Sequence, residues 1–260
     1  MWTSLRTAVS GMLAQQRALD VAADNLTKMQ VPGTKSQRVS FSELSPELRY
    51  MGVADGEGNV LSEPRETGRG VRTSATLQNM SQGMFLATGE PLDVAIDGDG
   101  FLAVTLPNGA AAYTHGGALH LDNSGRLMTQ TGAALSPEVI VPLETASVEI
   151  RPDGTVIAID NAGARQDVGQ LQLVRFENPE GLIQIGAGLL QPTVASGAPI
   201  LGTAGDPGVG VLVSGIIESS NIDPREEYLK VVQAQRAYEL NVRAMRTVDE
   251  MLQSANNLRR

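Results

Sequence analysis

The chain has 260 residues and is 42% hydrophobic but only 3% aromatic, so any core must be built from aliphatic residues and Met. Its formal net charge is −9, and Lys occurs only at positions 28, 35 and 230, which argues against a protein that grips a nucleic-acid backbone. It has no Cys, which excludes disulfides, thiolate metal sites and a Cys nucleophile.

The length leaves room for two modest domains, or for one with long appendages. No apolar run approaches the roughly 18 residues of a membrane span, so no direct membrane insertion is expected. Gln15-Gln16-Arg17 breaks the first apolar stretch and no small-residue cleavage site follows. The reading is therefore of a protein without a cleaved signal, exported, if at all, by a route that reads an intact N-terminus.

The first element is a helix over Trp2 to Met29. Leu5, Met12, Leu19 and Leu26 recur every seven residues, with Ala8 and Ala22 in the intervening slots, which puts them on one narrow stripe. Val31-Pro32-Gly33 ends it, because Pro lacks a backbone donor and disfavours helical geometry in the residue before it. Residues 36–75 are polar and broken, with turn clusters at Asp55-Gly56-Glu57-Gly58-Asn59 and Gly68-Arg69-Gly70. They read as an extended arm with one or two short strands, and an arm of this length is expected to touch something.

From about Thr76 to Gly215 the texture changes to short β-type runs between Gly-containing turns. The candidate strands are 94–96, 101–106, 119–121, 139–141, 147–150, 155–159 and 170–176, forming an antiparallel β domain. The last element is a helix. Asp223-Pro224-Arg225-Glu226 supplies an N-cap acceptor, a Pro at the first helical position and a capping-box Glu. Val231, Tyr238, Met245 and Leu252 repeat every seven residues, interleaved with Ala234, Val248 and Ala255, and Arg259 and Arg260 sit at the negative end of the helix dipole. The fold class is α+β: long N- and C-terminal helices pairing as a coiled-coil-like domain, a central mainly antiparallel β domain and an extended arm.

Sites for chemistry are scarce. His115 and His120 are separated by an odd offset, which on a continuous strand places them on opposite faces, and neither a third His nor an HExxH spacing accompanies them. Asp93, Asp97 and Asp99 sketch a calcium loop, but Phe101 stands where a ligand belongs and the terminal Glu is missing. Gly208-Val209-Gly210 lacks the third Gly of a phosphate cradle. No catalytic, cofactor-binding or metal-binding residue is assigned, no cofactor is expected, and the chain is read as not being an enzyme. Gln15 and Asn241 interrupt the stripes with polar groups of the kind that set register and partner choice. Whether the stripes meet as an antiparallel hairpin or pack against neighbouring copies stays open on the pattern alone.

Several stretches carry a resemblance. Ser10-Gly11-Met12-Leu13-Ala14-Gln15-Gln16, Asn25-Leu26 and Pro32-Gly33-Thr34-Lys35 resemble the N-terminal signature of bacterial flagellar rod and hook axial proteins. Ser220-Asn221-Ile222-Asp223, Gln235-Arg236-Ala237-Tyr238-Glu239 and Asp249-Glu250-Met251-Leu252 are similar to that family's C-terminal signature. Between them, Leu92 to Phe101, Ala112-Tyr113-Thr114 and Ser196-Gly197-Ala198-Pro199 resemble its β domain. Lys28, Val31 and Thr34 depart from the usual pattern at the helix exit, where they bear on the local turn. The length and the C-terminal run look most like a distal rod member. The alternatives are a proximal rod or hook paralogue and, from a different class, a β-rich surface binding module.

The resemblance implies a structural subunit of the distal rod, located in the periplasm-spanning basal body of the flagellum. It implies helical polymerisation through the terminal helices into a hollow, rigid drive shaft that transmits torque and passes exported subunits. The domains read as 1–35 and 221–260, the helices of an inner core; 36–75, the arm; and 76–220, a β-rich outer domain. Assembly is assigned to Leu5, Met12, Leu19, Leu26, Val231, Tyr238, Met245, Val248 and Leu252, and arm contacts to Arg65, Arg69 and Arg72. The partners are other copies of the chain and, by resemblance, proximal rod, hook and surrounding ring proteins. The termini are expected to be largely unfolded in a free subunit and to order on assembly.

Overall fold

A computed structural model describes residues 2–54 and 60–257, with only the backbone described for residues 2, 3, 47–54, 60–67 and 255. The turn cluster Asp55 to Asn59 and the terminal Arg259 and Arg260 lie outside the described residues. The chain divides into two compact units, one of residues 1–24, 37–77 and 225–260, the other of residues 25–36 and 78–224.

The first unit holds the two long helices, α1 (Trp2–Lys28) and α2 (Pro224–Asn257). Their ends fall within a residue of those read from the sequence. Both are helical over these ranges.

The arm is more regular than its composition suggests. Four strands, β1 (Gln37–Glu43), β2 (Glu47–Ala54), β3 (Val60–Thr67) and β4 (Val71–Gln78), replace the one or two short ones expected. β2 and β3 pair antiparallel over their whole length, from Glu47 opposite Thr67 to Ala54 opposite Val60, and β1 pairs with β4. Such a ribbon carries no one-sided core pattern, and that one-sided pattern is the signal by which a strand is read from sequence.

The second unit is β-rich. Its strands are β5 (Phe85–Ala87), β6 (Val94–Asp97), β7 (Phe101–Thr105), β8 (Ala111–Thr114), β9 (Leu119–Leu121), β10 (Leu127–Thr129) and β11 (Ala134–Leu135). There follow β12 (Thr145–Ile150), β13 (Thr155–Asp160), β14 (Arg165–Gln170), β15 (Gln172–Arg175), β16 (Ile183–Gly186), β17 (Leu189–Gln191), β18 (Ile200–Thr203), β19 (Val211–Ser214) and β20 (Ile216–Glu218). β7 organises the main sheet. It pairs with β8 along one edge, and with β15 and then β11 along the other. β12, β13 and β14 form a separate antiparallel meander, β6 pairs with β19, and β5 with β20. Residues 139–141, expected as a strand, form only a single bridge from Ile140 to Arg126, although Val139 and Val141 are buried.

The core of this unit is aliphatic, as the composition requires. Val94, Ile96, Leu102, Val104, Leu127, Val156, Leu171, Leu173 and Leu212 form one buried cluster. A smaller second cluster gathers Phe101, Tyr113 and Phe176, whose rings meet edge to face. Leu173 is fully buried beside Leu102 on β7. Leu173→Ala is expected to cost about 3 kcal/mol of stability in urea titration; a loss below about 1 kcal/mol would show that the site collapses without a cavity.

Candidate assembly surface

Within the first unit the two helices run antiparallel. One groove is lined by Ala18, Val21 and Ala22 with Glu227, Lys230 and Ala234; another is lined by Gln15, Gln16 and Leu19 with Ala234, Gln235 and Tyr238. Residue numbers thus rise along α1 as they fall along α2. The same trend brings Gly11 against Asn241, where a Cβ on Gly11 would lie 3.0 Å from Oδ1. Gly11 therefore marks a close approach between the helices. The Asn241 amide donates to the Ala237 carbonyl at 2.9 Å, which leaves its oxygen facing the glycine.

Of the residues assigned to assembly, Leu19 and Tyr238 line the second groove. Leu5, Met12, Leu19, Leu26, Val231, Met245, Val248 and Leu252 are half-buried, and Tyr238 is exposed. The buried centre is made of small side chains, Ala8, Ala14, Ala22 and Ala234, with Val21. A seven-residue repeat locates the mean direction of a stripe; close packing then selects the small residues within it. The pair also leaves large apolar groups bare, among them Leu13 (62% exposed), Leu229 (58%), Leu240 (63%) and Met251. Of the arm arginines, Arg69 and Arg72 are exposed, and Arg72 Nε donates to Ser42 Oγ at 3.1 Å across the arm. Arg65 lies opposite Arg49 in the β2–β3 ribbon.

In the second unit, segments far apart in sequence are stitched together by buried polar contacts that the sequence reading missed. Glu218, 1% exposed, pairs with the Lys35 ammonium at 2.7 Å and with His115 Nδ1, and it accepts the Gly83 backbone N–H at 2.6 Å. Lys35 also donates to the Ser81 carbonyl. The Gly33 N–H donates to the Glu218 carbonyl at 2.9 Å, and Ser220 Oγ donates to the Met29 carbonyl. Asn221 accepts from the Ser36 N–H and donates to the carbonyls of Asn79 and Ser81. Gly33 has φ +70°, and a Cβ there would lie 2.4 Å from the Gly116 nitrogen, so both backbone conformation and space demand glycine.

The departures at the helix exit are accommodated: Val31 N–H bonds Lys28, Thr34 N–H bonds Val31, and Thr34 itself is buried. Burial alone would raise the Glu218 carboxyl, but the hydrogen bond and charge of His115, followed by those of Lys35, outweigh it and lower its pKa to about 2. His120, by contrast, is exposed on β9. Asp97 and Asp99 are exposed as well, and Gly208 to Gly210 lie in the turn between β18 and β19.

The two terminal helices share a seam that leaves apolar groups bare, and the β-rich unit ties together the segments next to their ends through polar contacts. Comparisons with known proteins identify the class to which such a chain belongs. Residues 5–33 match the family described as flagella basal body rod protein, residues 95–158 the flagellar hook protein FlgE/F/G D1 domain, and residues 213–258 the flagellar basal body rod FlgEFG protein C-terminal region.

The chain is 36% identical to the flagellar basal-body rod protein FlgG of Caulobacter vibrioides over 98% of its own length and 99% of that protein's. It is 38% identical to the FlgG of Borreliella burgdorferi over the full length of both chains. The hook protein FlgE of Escherichia coli is 33% identical over only 62% of this chain and 41% of its own. The chain belongs to the FlgG family of flagellar basal-body rod proteins. It is a structural subunit of the flagellar distal rod, in the basal body, and none of its described helices is long and apolar enough to cross a membrane.

Two measurements probe these contacts. Because Glu218 titrates at about 2 in the folded chain against 4.5 ordinarily, its contribution is complete above pH 4.5 and is lost as pH falls toward 2. The loss should amount to about 3 kcal/mol in acid-dependent urea titrations. Glu218→Gln should be less stable at neutral pH and should flatten that acid limb; an unchanged limb would mean the carboxylate is not what titrates. Gly11→Leu should force α1 from Asn241 and lower the helical signal of the chain, and full helicity would show that the approach is not tight.

Proposed function

We propose that the subunit polymerises through α1 and α2, neighbouring copies covering the helix faces that the intramolecular pair leaves bare. The carrying observation is the exposure of Leu13, Leu229 and Leu240 on two helices that already share one seam. Each such side chain contributes roughly 1.5–3 kcal/mol when fully buried, and an uncovered pair of this kind is marginal in water. Packing one face against a different face of the next copy builds an open helical array when the rotation between copies does not close. The product of this arrangement is a hollow, rigid shaft that transmits torque and passes exported subunits.

In this reading residues 1–35 and 221–260 are the assembly segments, 36–75 the arm and 76–220 the β-rich body. Leu5, Met12, Leu19, Leu26, Val231, Tyr238, Met245, Val248 and Leu252 share the helix contacts, while Arg65, Arg69 and Arg72 serve the arm, which bridges adjacent copies and stiffens the shaft. The chain has no catalytic role and meets proximal rod, hook and ring proteins along the axis.

Removing residues 1–24 should abolish pelletable filaments of the purified chain, since it removes one helix of the pair; filaments of normal yield would discard the reading. Deleting Ser45 to Pro64 should leave filaments that bend, measured as a shorter persistence length in electron micrographs. Straight filaments after that deletion would remove the arm from the account.

A further inference from the structure

The groove between α1, α2 and β1 has a volume of about 260 Å³ and is walled by Val21, Ala22, Val39, Phe41 and Ala234. Glu227 reaches it, although the residue is only 2% exposed. Its Oε1 accepts from the Lys230 ammonium at 2.6 Å, while Oε2 has no hydrogen-bond partner among the described residues. A buried carboxylate oxygen without a donor is expensive and rare in folded proteins. Arg38 also lines the groove, yet it forms no ion pair with Glu227. That oxygen faces the groove and is available to a donor from another molecule.

The same helix carries a suitable one on its far side. Arg236 lies nine residues beyond Glu227, about two and a half turns at roughly 3.6 residues per turn, and so points away from it. It is exposed, has no ion-pair partner among the described residues, and is flanked by the bare Leu229 and Leu240. A guanidinium on a long apolar stem suits a greasy-walled slot ending in a carboxylate.

We propose that Arg236 of a second copy enters this groove and donates to Glu227, with Leu229 and Leu240 covering Val39 and Phe41 at its mouth. The inference rests on the polymerisation reading above and names the contact. Acid and base on opposite faces of one helix cannot pair within a chain. They join face to back, the heterologous arrangement that propagates from copy to copy.

The test is a charge exchange in the full-length chain, read as the lowest concentration that yields pelletable filaments. Glu227→Lys and Arg236→Glu should each raise it by roughly tenfold or more, since like charges then meet in a desolvated contact. A one-to-one mixture of the two variants should restore it, because each then offers the other an opposite charge. The conservative Glu227→Gln, which keeps the side chain's volume, should weaken assembly without changing the helical signal of the dilute chain. Wild-type filaments together with unaffected single variants, or a mixture that stays as poor as its components, would overturn this contact while leaving polymerisation intact. A wild-type chain that never assembles would sink both.

Discussion

A pair of helices has one seam and two outer sides, and among the described residues no third α-helix accompanies α1 and α2. That constraint governs the rest. The small residues Ala8, Ala14, Ala22 and Ala234 let α1 and α2 approach closely, which pushes the larger stripe residues to the flanks. Flanking side chains are half covered by the partner helix, and those beyond them, Leu13 and Leu240, are not covered at all. In the proposed polymer these bare groups supply the contact surface between copies.

The β-rich unit answers a different need, that of holding fixed the two segments from which the helices depart. The buried Lys35–Glu218–His115 group and the Asn221 side chain do this with directional contacts, where an apolar patch would allow sliding. Breaking one partner of a buried charged group leaves the others unpaired at high cost, so the geometry is strongly specified. Charged and hydrogen-bonded residues placed at these segments explain why motifs at opposite ends of the sequence, around Pro32 to Lys35 and around Ser220 to Asp223, meet in space.

Much of the fold was legible from local pattern. Both helices follow from seven-residue spacing and from Pro at one exit and one start, and β6, β7 and β13 follow from β-branched runs between Gly turns. Strands such as β10, β11 and β16 escaped because two to four residues carry too little periodicity, and the arm escaped because polar and charged residues break up its apolar alternation. Residues 139–141 looked like a strand because Val139 and Val141 alternate, but their neighbour is a turn, so only one bridge forms. The stitching at the junctions was not legible at all: Lys35 and Glu218 are 183 residues apart, and no local signal links them. Glu227 was hidden for the converse reason, since an acid in the first turn of a helix is ordinarily read as a favourable partner of the dipole.

Side-chain labelling by hydroxyl radicals, compared between the dilute subunit and its filaments, addresses the central claim most directly. The account predicts strong modification of Leu13, Leu229, Leu240 and Met251 in the subunit and its near-complete loss in the filament, with Ala-lined seam positions unreactive in both. Equal labelling of those four residues in the two states would contradict it, because the filament would then be held together by some other surface.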